Sequence, residues 1–399
     1  MRFETHPISE LIDEISMGPF GSNIKVECFV DEGIPVLNGS NLEGYELKEE
    51  SFRYVTKEKA DSLNKANAYR GDIVITHRGT LGQIVFIPQT SKYDRYVISQ
   101  SQFRVRCNHM ILPEYMVYYF HTRLGKHKLL SNASQVGVPA LARPSTTFQK
   151  IEIEIPDIPT QKRIIAILQT IHDKIAINTK INENLEQQAQ AIFKSWFVDF
   201  EPFGGIMPDD WRMGSLSEIC KYSKDRVCVE ELSLDTYYST ENMQPNRQGA
   251  VQATTLPSIK QTTACKKGDV LISNIRPYFK KIIYCFADCG CSTDVLCFVP
   301  NRIEYSAFLY CALYSDKFFA YMVAGSKGTK MPRGDKQQIM MYPICIPSAA
   351  YIEKFNKAVR PMLETIHTNR LEANNLAILR DTLLPKLMNG EIDVSEVQI

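Results

Sequence analysis

The fold of this chain is constrained most strongly by an internal repeat that divides it into two similar halves. Residues 70–79 (RGDIVITHRG) correspond to residues 267–276 (KGDVLISNIR), and the two Gly-Asp pairs are 197 positions apart (268 − 71). In each half the Gly-Asp pair precedes a short β-branched run, which predicts a turn followed by a strand. An arginine follows each run, so we expect Arg78 and Arg276 to occupy matching loops. A repeat of this length indicates two related globular units.

The segments that follow the strand also come in the same order in both halves. An aromatic helical stretch (113–120 or 305–314) precedes a polar, glycine-containing loop and a closing strand that ends in proline. The sequence therefore predicts an α+β fold with two similar globular α/β domains separated by two long helices. We place the domains at residues 1–156 and 202–346, and the spacer helices within 157–201 and 347–399.

The first spacer is predicted to be helical because residues 160–197 contain neither glycine nor proline, with Thr160 as the N-cap. Apolar residues recur there at steps of three and four, which is coiled-coil spacing. This seam comprises Ile164, Leu168, Ile171, Ile175, Leu185, Ala189, Ile192 and Trp196. Asn178 and Asn182 lie on the same seam, where polar side chains weaken a coiled coil but can fix its register.

The second spacer has the same pattern. Its apolar stripe comprises Ile352, Phe355, Val359, Met362, Ile366, Ala373, Leu376, Leu383 and Leu387, interrupted by Asn369 and Arg380. Pro361 predicts a kink or a late helix start, and Gly390 is a suitable stop. Two helices of roughly 57 Å each would most simply form an antiparallel coiled coil with a domain at either end, related by a pseudo-two-fold axis. The alternative is two ordinary amphipathic core helices.

Composition limits the class of protein further. No apolar run approaches the roughly 18 residues that a membrane-spanning helix needs, and the first residues are charged where a signal peptide would be apolar. The 11 cysteines are irregularly spaced, which in a chain of this kind is typical of reduced thiols. We therefore expect a cytoplasmic protein with no membrane partner.

Four of the cysteines, Cys285, Cys289, Cys291 and Cys297, lie close together in the sequence. An all-cysteine zinc site is one interpretation, but paired CxxC motifs are missing and residues 173–366 contain no histidine. The alternation of the segment favours a strand, a turn and a strand with buried or reactive thiols. We therefore predict no metal and no cofactor.

Two unlike domains held at a fixed span would suit duplex DNA, on which readers are separated by about 34–36 Å per helical turn. Because the domains differ in sequence, the two parts of the DNA site should differ too. The net charge of +1 argues against a nucleic-acid partner. However, residues 115–151 carry five Lys or Arg and no Asp or Glu, and a basic face depends on local charge.

The candidate DNA-binding residues lie in predicted loops and have side chains suited to base edges or phosphates. In the first half these are Ser22, Lys25, Asn38, Asn41, Arg78, Thr80, Gln135 and Arg143. In the second half they are Tyr238, Asn242, Asn274, Arg276, Lys280, Lys327, Lys330, Arg333 and Lys336. The alternative for each is a solvated surface residue.

The ordered set of motifs resembles the specificity (S) subunits of type I restriction-modification enzymes over essentially the whole chain. The segments that carry the resemblance are 71–73 (GDI), 78–82 (RGTLG), 155–156 (IP), 161–164 (QKRI), 191–200 (AIFKSWFVDF) and 383–392 (LLPKLMNGEI). Single short pieces are weak signals, whereas the ordered set is specific. The second half departs from the pattern at Arg276-Pro277-Tyr278, where the first half has Arg78-Gly79-Thr80.

The resemblance implies target-recognition domains that each read one half of a bipartite DNA site. It also implies that the two helical regions form an antiparallel coiled coil that sets the spacing and docks modification (M) subunits, two of them. Those M subunits would bind S-adenosylmethionine and methylate adenine, and restriction (R) subunits would complete the nuclease. We expect the aromatic group Phe193, Trp196, Phe197 and Phe200 to dock an M subunit. The alternative is that this group packs on the second domain of the chain itself.

Catalytic motifs are missing from the sequence. It contains no Asn/Asp-Pro-Pro-aromatic motif for holding a flipped adenine and no Walker A string. We therefore predict a non-catalytic DNA-specificity subunit. The competing hypotheses are an enzyme with divergent motifs and a coiled-coil scaffold with two protein-binding domains.

Overall fold

The computed structural model describes residues 2–19, 23–134 and 138–397. Its contacts divide the chain into two units. The first unit comprises Met1–Asp173 and Leu376–Ile399, and the second comprises Lys174–Asn375. Within the described residues, no helix combines the length and apolar character needed to cross a membrane.

The first unit is built mainly of short antiparallel strands. They are β1 (Glu4–Pro7), β2 (Ile12–Met17), β3 (Phe29–Val30), β4 (Ile34–Val36), β5 (Arg53–Val55), β6 (Asn67–Tyr69), β7 (Ile73–Thr76), β8 (Ile84–Phe86), β9 (Arg95–Val97), β10 (Gln102–Cys107), β11 (Ala133–Ser134), β12 (Ala140–Leu141) and β13 (Glu152–Ile155). Its helices are α1 (Ile8–Leu11), α2 (Lys57–Ser62), α3 (Pro113–His121), α4 (Arg123–Leu130) and α5 (Pro144–Gln149), followed by the long α6 (Ile158–Phe197). The main sheets have the orders β2-β10-β7-β8 and β3-β5-β4-β9-β6, and β1 pairs with β13.

The second unit repeats this plan. Its strands are β14 (Arg212–Ser215), β15 (Cys220–Tyr222), β16 (Arg226–Cys228), β17 (Tyr237–Tyr238), β18 (Gln261–Cys265), β19 (Val270–Ser273), β20 (Ile282–Tyr284), β21 (Cys289–Cys291), β22 (Val295–Pro300) and β23 (Pro343–Ile346). Its helices are α7 (Ser306–Tyr314), α8 (Asp316–Ala324), α9 (Lys336–Met340) and the long α10 (Ala349–Met388). The order β15-β22-β19-β20 matches β2-β10-β7-β8, and β14-β23 matches β1-β13. The repeat predicted from the sequence is therefore present in the fold.

The repeated Gly-Asp pair forms the same turn in both units. Gly71 and Gly268 have φ of +84° and +95°, a left-handed conformation that glycine adopts without steric cost. The following Asp72 accepts a hydrogen bond from the Tyr69 amide at 3.0 Å, and Asp269 accepts one from the Lys266 amide at 2.7 Å. In each case the carboxylate closes the turn that leads into the central strand, β7 or β19.

The two buried turn carboxylates differ in how their charge is balanced. Asp72 is fully buried and pairs with Arg104 and Arg106, whose nitrogens lie 3.4 and 2.8 Å from its carboxylate. In the second unit, β22 places Cys297 where β10 has Arg104, since these residues pair with Leu271 and Val74 at matching registers. Burial raises the pKa of the Asp269 carboxyl, and the hydrogen bond from the Lys266 amide only partly offsets this effect.

Each unit has a core that includes side chains from both long helices. In the first unit, Ile164 and Leu168 of α6 and Leu384 and Leu387 of α10 join the core of the central sheet and α3. In the second unit, α6 contributes Ala189, Phe193 and Phe197, and α10 contributes Ile352, Phe355, Val359, Leu363 and Ile366. The helices therefore stabilise the globular units as well as each other.

The two helix starts differ from their predictions. α6 begins at Ile158, and its first turn is capped by Asp157, which accepts a hydrogen bond from the Thr160 amide at 3.1 Å. The prediction of Thr160 as the N-cap is therefore wrong. The prediction of a late start at Pro361 is also wrong, because α10 begins 12 residues earlier (361 − 349). Pro361 is exposed, and the helix tolerates the lost backbone bond because the neighbouring Val359 and Leu363 are buried in the core.

Within the second unit, α6 and α10 run antiparallel and meet through polar side chains. The Asn178 amide donates to Glu372 at 2.7 Å, and the Asn182 carbonyl oxygen accepts from the Asn369 amide at 2.9 Å. The Asn182 amide also faces the Ile366 carbonyl at 3.4 Å. As residue numbers increase along α6, the numbers of the contacted residues on α10 decrease, which confirms the predicted antiparallel pair.

We expect Asn182→Ala to destabilise the protein because it leaves the Asn369 amide without its partner in a buried interface. The cost should be about 1–3 kcal/mol in the free energy of unfolding, measured by urea denaturation. Asn184→Ala is the matched control, since Asn184 is an exposed asparagine two positions away on α6, and its effect should stay within about 0.5 kcal/mol. Equal effects of the two substitutions would contradict the assigned role of Asn182.

Candidate nucleic-acid interface

In the first unit, the loop after β7 is held against the segment that precedes α5. The Gly79 amide donates to the Pro139 carbonyl at 2.9 Å, and the Leu141 amide donates to the His77 carbonyl at 2.9 Å. Arg78 lies between these bonds, opposite Ala140. We call this pair of joined loops the clamp of the unit.

The second unit contains the same clamp between the loop after β19 and the segment that precedes α9. The Arg276 amide donates to the Pro332 carbonyl at 2.8 Å, and the Gly334 amide donates to the Asn274 carbonyl at 3.2 Å. Ile275 lies opposite Arg333 in an isolated bridge. The backbone therefore brings together two loops that are about 60 residues apart in each half of the chain.

Arg78 and Arg276 both lie in the loop that follows the central strand, as expected, but they do not occupy equivalent positions in that loop. The amides of Gly79 and Arg276 bond to the corresponding prolines, so Arg78 matches Ile275 and Arg276 matches Gly79. The difference arises because the second loop has an isoleucine between the strand and the arginine. Arg276 is also half-buried, and its Nε has no hydrogen-bond partner in the described part of the chain.

The cationic candidates of the first unit are freely presented. Arg78 and Thr80 are exposed on one side of the clamp, and Arg143 is exposed on the other, in a left-handed conformation with φ of 47°. Lys25 is exposed before β3. Among the described residues, none of these three cations has a carboxylate within ion-pair distance. Two further candidates, Ser22 and Gln135, lie outside the described residues.

In the second unit several candidate cations are held by carboxylates. Arg333 pairs with Asp294 at 3.0 Å, Lys327 with Asp335 at 2.6 Å, and Lys280 with Asp316 at 2.7 Å. Hydrogen bonds from Arg247 and then Lys280 lower the pKa of Asp316 to about 2, and Lys327 lowers the pKa of Asp335. Lys330 and Lys336 are exposed, and the ammonium of Lys336 lies 6.0 Å from the ring centre of Tyr222.

Asn41 and Asn242 are structural, so their prediction as base-reading residues is wrong. Asn41 is 1% exposed and donates to the carbonyls of Lys48 and Glu50 at 2.9 and 2.7 Å. Asn242 is 6% exposed and donates to the carbonyls of Tyr237 and Val251 at 2.9 and 3.1 Å. In both cases the carbonyl oxygen accepts from the amide three residues earlier. Each asparagine side chain thus holds a loop of its own unit together. Its amide and carbonyl groups are already hydrogen-bonded there, so they are not free to bind a DNA base.

Three other polar candidates, Asn38, Tyr238 and Asn274, make contacts within their own units. Asn38 caps the turn that contains Asn41, and its carbonyl oxygen accepts from the Ser40 amide at 2.9 Å. Tyr238 packs against a cluster of cysteines, and burial raises the pKa of its phenol. Asn274 is buried in the clamp, and its Oδ1 has no hydrogen-bond partner among the residues described.

The aromatic group predicted to dock an M subunit belongs largely to the core of the second unit. Phe193 and Phe197 are 7% and 3% exposed and pack on Phe308 and Phe355. Trp196 is half-buried and contacts Phe355 edge-on, and Phe200 packs on the same core. Phe193 and Phe197 are therefore not available to a partner, because α7 and α10 cover this face of α6.

The four cysteines considered above as a zinc site lie, together with Cys265, in a smaller apolar cluster of the second unit. Cys265, Cys285, Cys289, Cys291 and Cys297 are all buried, free thiols. In the part of the chain that the structure describes, no group of three or more His, Cys, Asp or Glu is arranged to hold a metal ion. The cluster includes residues of β18, β19, β20, β21 and β22.

Asp294, at the clamp of the second unit, is not among the residues predicted from the sequence. Asp294 pairs with Arg333, and its carbonyl accepts from the Asn274 amide as the Ser101 carbonyl accepts from the His77 amide. Aligning the two halves of the sequence at an offset of 193 matches Ser101 with Asp294 (294 − 101). The same offset matches Arg143 with Lys336 (336 − 143). The signal for this offset is the shared proline, Pro139 and Pro332.

We predict that Asn242→Ala opens the loop around residues 239–251 without removing a DNA-contacting group. The Ser239 amide, which donates to Asn242 at 2.7 Å, should exchange its hydrogen at least about tenfold faster, as expected for a lost bond of about 1–3 kcal/mol. Hydrogen exchange followed by mass spectrometry measures this effect. Glu241→Ala, at the exposed neighbouring position, should leave the exchange unchanged. Unaltered exchange in Asn242→Ala would show that the side chain does not hold the loop.

Comparison with known proteins identifies the family. A sequence model described as "Type I restriction modification DNA specificity domain" matches residues 24–187. The type I restriction enzyme MjaIX specificity subunit of Methanocaldococcus jannaschii is 25% identical and covers 97% of this chain and 93% of its own length. The type I restriction enzyme HindI specificity subunit of Haemophilus influenzae is 24% identical and covers 81% of this chain and 87% of its own length.

A solved structure has the same fold. The S subunit of a type I restriction-modification system from M. genitalium superposes with a TM-score of 0.64 at 16% identity, and the match covers 99% of this chain and 97% of that one. The ordered motifs, the two β-rich units and the antiparallel α6 and α10 agree with these matches. The chain belongs to the specificity (S) subunits of type I restriction-modification enzymes, the non-catalytic component that gives those enzymes their DNA specificity.

Proposed function

We propose that this chain reads an asymmetric, bipartite DNA site and directs M and R subunits to it. In this proposal, residues 1–156 and 202–346 are the reading domains, and residues 157–201 and 347–399 are the spacers. The observation that carries the proposal is the clamp, which joins the same two loops in each unit by the same backbone bonds. Each clamp presents cationic side chains on exposed loops, where phosphates and base edges could be reached.

The side chains on the two clamps differ, which supports unlike half-sites. The first unit has Arg78 where the second has Ile275, and Ala140 where the second has Arg333. Arginine favours guanine O6 and N7, whereas an apolar side chain can contact the thymine methyl group. One fold can therefore read two different sequences by exchanging side chains on a constant backbone.

Asp294 adds a further difference between the half-sites. A carboxylate near DNA is repelled by phosphates, so its presence beside Arg333 favours a specific task over general attraction. An aspartate can accept a hydrogen bond from the amino group of cytosine, while the adjacent arginine reaches guanine. The first unit has Ser101 at the corresponding position, which lacks that charge.

Arg78→Ala combined with Arg143→Ala should weaken binding to the target duplex by about tenfold or more, because two unpaired cations leave the interface. Binding is measured by fluorescence anisotropy with the assembled S and M subunits at several salt concentrations. If both side chains contact phosphates, the slope of log affinity against log salt should fall by about two.

The control for this experiment is Lys57→Ala combined with Lys162→Ala, which makes the same change in net charge at exposed lysines outside the clamp. Equal losses in both double variants would show that only overall charge matters. Undiminished affinity in the arginine variant would remove the first clamp from the DNA interface. Wild-type binding that does not distinguish the target from scrambled DNA would overturn the proposed function itself.

We also propose that an M subunit docks on exposed apolar side chains of the long helices. Ile177 and Ile181 of α6 are 53% and 40% exposed, and Leu371 of α10 is 51% exposed. Ile177 and Ile181 lie four positions apart and therefore share one face of α6. Apolar side chains on a solvent-exposed helix are typical of partner interfaces. This site replaces the buried aromatic pair Phe193 and Phe197.

Ile177→Ser combined with Ile181→Ser should reduce recovery of the M subunit by affinity co-purification at least about tenfold, because the loss of two buried isoleucines from an interface costs several kcal/mol. The thermal midpoint of the isolated chain should change little, since both side chains face solvent. Ile206→Ser combined with Ile259→Ser is the control, as both are exposed isoleucines of the same unit. Full recovery of the M subunit by the first variant would exclude this face of α6.

A further inference from the structure

The loop after β19 in the second unit carries two exposed aromatic side chains that the core does not explain. Tyr278 is 48% exposed and Phe279 is 38% exposed. Their ring centres are 4.7 Å apart, with an angle of 57° between the ring planes. Neither ring joins an apolar core cluster among the described residues.

The backbone that carries this aromatic pair is held in an unfavourable conformation. Arg276 and Lys280, which flank the turn Pro277–Phe279, are both left-handed, with φ of 49° and 52°. Residues other than glycine rarely adopt this conformation, and it persists only where the surrounding structure enforces it. Such strain is concentrated at functional sites, so the turn merits a functional explanation.

Two neighbouring segments enforce this conformation. The amides of Asn246 and Arg247 donate to the carbonyls of Phe279 and Lys280 at 2.8 and 3.0 Å. The Arg276 amide donates to the Pro332 carbonyl at 2.8 Å. In addition, Asp316 binds both Lys280 and Arg247. The turn is therefore braced from both sides, and the aromatic pair is presented on a rigid support.

The first unit does not present aromatic side chains at this place. The Thr76 amide donates to the Gln83 carbonyl as the Ser273 amide donates to the Lys281 carbonyl. The loop between these positions has six residues in the first unit (77–82) and seven in the second (274–280). Leu81 of the shorter loop packs on its own core. The exposed pair Tyr278 and Phe279 is therefore a feature of the loop in the second unit that the corresponding loop of the first unit lacks.

The position of the pair favours DNA over a protein as its partner. Its loop is bonded to Pro332, which is adjacent to Arg333 of the clamp, and Lys281 lies 6.0 Å from the ring centre of Phe279. Aromatic rings beside cations suit nucleic acids, because the rings stack on bases while the cations neutralise phosphates. Apolar wedges inserted between base pairs also unstack the step and bend the duplex.

We propose that Tyr278 and Phe279 form a wedge that the second unit inserts at one base step of its half-site, which unstacks that step. The wedge adds indirect readout, because the cost of opening a step depends on its sequence and is lowest at pyrimidine–purine steps. This inference rests on the proposed reading of DNA by the second unit. It assigns a role to the part of the loop that departs most from the first unit.

The experiment uses the assembled S and M subunits and a duplex that contains the target found by mapping methylated positions. A single 2-aminopurine is placed at successive positions of the half-site read by the second unit, and its fluorescence reports unstacking. Wild-type protein should raise the fluorescence at one step. Tyr278→Ala combined with Phe279→Ala should abolish that rise and weaken binding about tenfold to a hundredfold, with an unchanged salt slope because no charge is lost.

Tyr278→Phe combined with Phe279→Tyr is the matched control, since it keeps both rings and should keep the fluorescence rise. Thermal unfolding of all variants should coincide, because the rings are outside the core. A rise that persists in the alanine variant, or no rise at any position in the wild type although it binds the target, would overturn the wedge alone. Loss of the M subunit with unchanged DNA binding would overturn it in favour of a protein contact. Failure of the wild type to prefer its target would overturn the wedge together with the proposed function.

Discussion

The cores of both units depend on side chains from two helices that are far apart in the sequence. In the second unit, Phe197 of α6 and Phe355 of α10 pack on each other and on Phe308 of α7. In the first unit, Leu168 of α6 and Leu384 of α10 are both buried in the core of the central sheet. Neither globular unit can therefore complete its apolar core without both helices. A change in the packing of α6 on α10 within a unit would affect the clamp of that unit through its core, because close-packed interiors transmit strain.

A constant backbone with variable side chains is the second principle of this fold. The Gly-Asp turn, the central strand and the clamp recur with the same hydrogen bonds in both units. The charges around this shared backbone differ between the units. Asp72 forms an ion pair with Arg104 in the first unit, whereas Asp269 accepts a hydrogen bond from the Cys297 thiol in the second. In the same way, Ala140 and Arg333 occupy equivalent backbone positions but offer different chemistry to a ligand. Because the hydrogen bonds of the clamp are made by backbone atoms, substitutions there can change the exposed side chains at little cost in stability.

The architecture of this chain can be predicted from its sequence more reliably than the positions of its candidate site residues. Periodicity and repeats reflect many residues at once, so the two units and the antiparallel helices could be predicted, and the structure confirms them. Site prediction relied on single polar residues in loops, and here it was less successful. Asn41 and Asn242 have the composition of base readers, yet both organise loops from within. Phe193 and Phe197 are of a residue type that is common in interfaces, yet Phe308 of α7 and Phe355 of α10 cover them.

The repeat, the strand after each Gly-Asp turn, the amphipathic seams of α6 and α10 and the resemblance to the S subunits are all visible in the amino-acid sequence. These features are local or periodic, and they follow from turn chemistry and the spacing of apolar residues. The register of the folded strands, in contrast, determines which loops meet in the clamp and which polar and aromatic side chains remain exposed. Contacts between residues about 60 positions apart depend on the register of paired strands, and a shift of one residue along the chain changes which side chain reaches the surface.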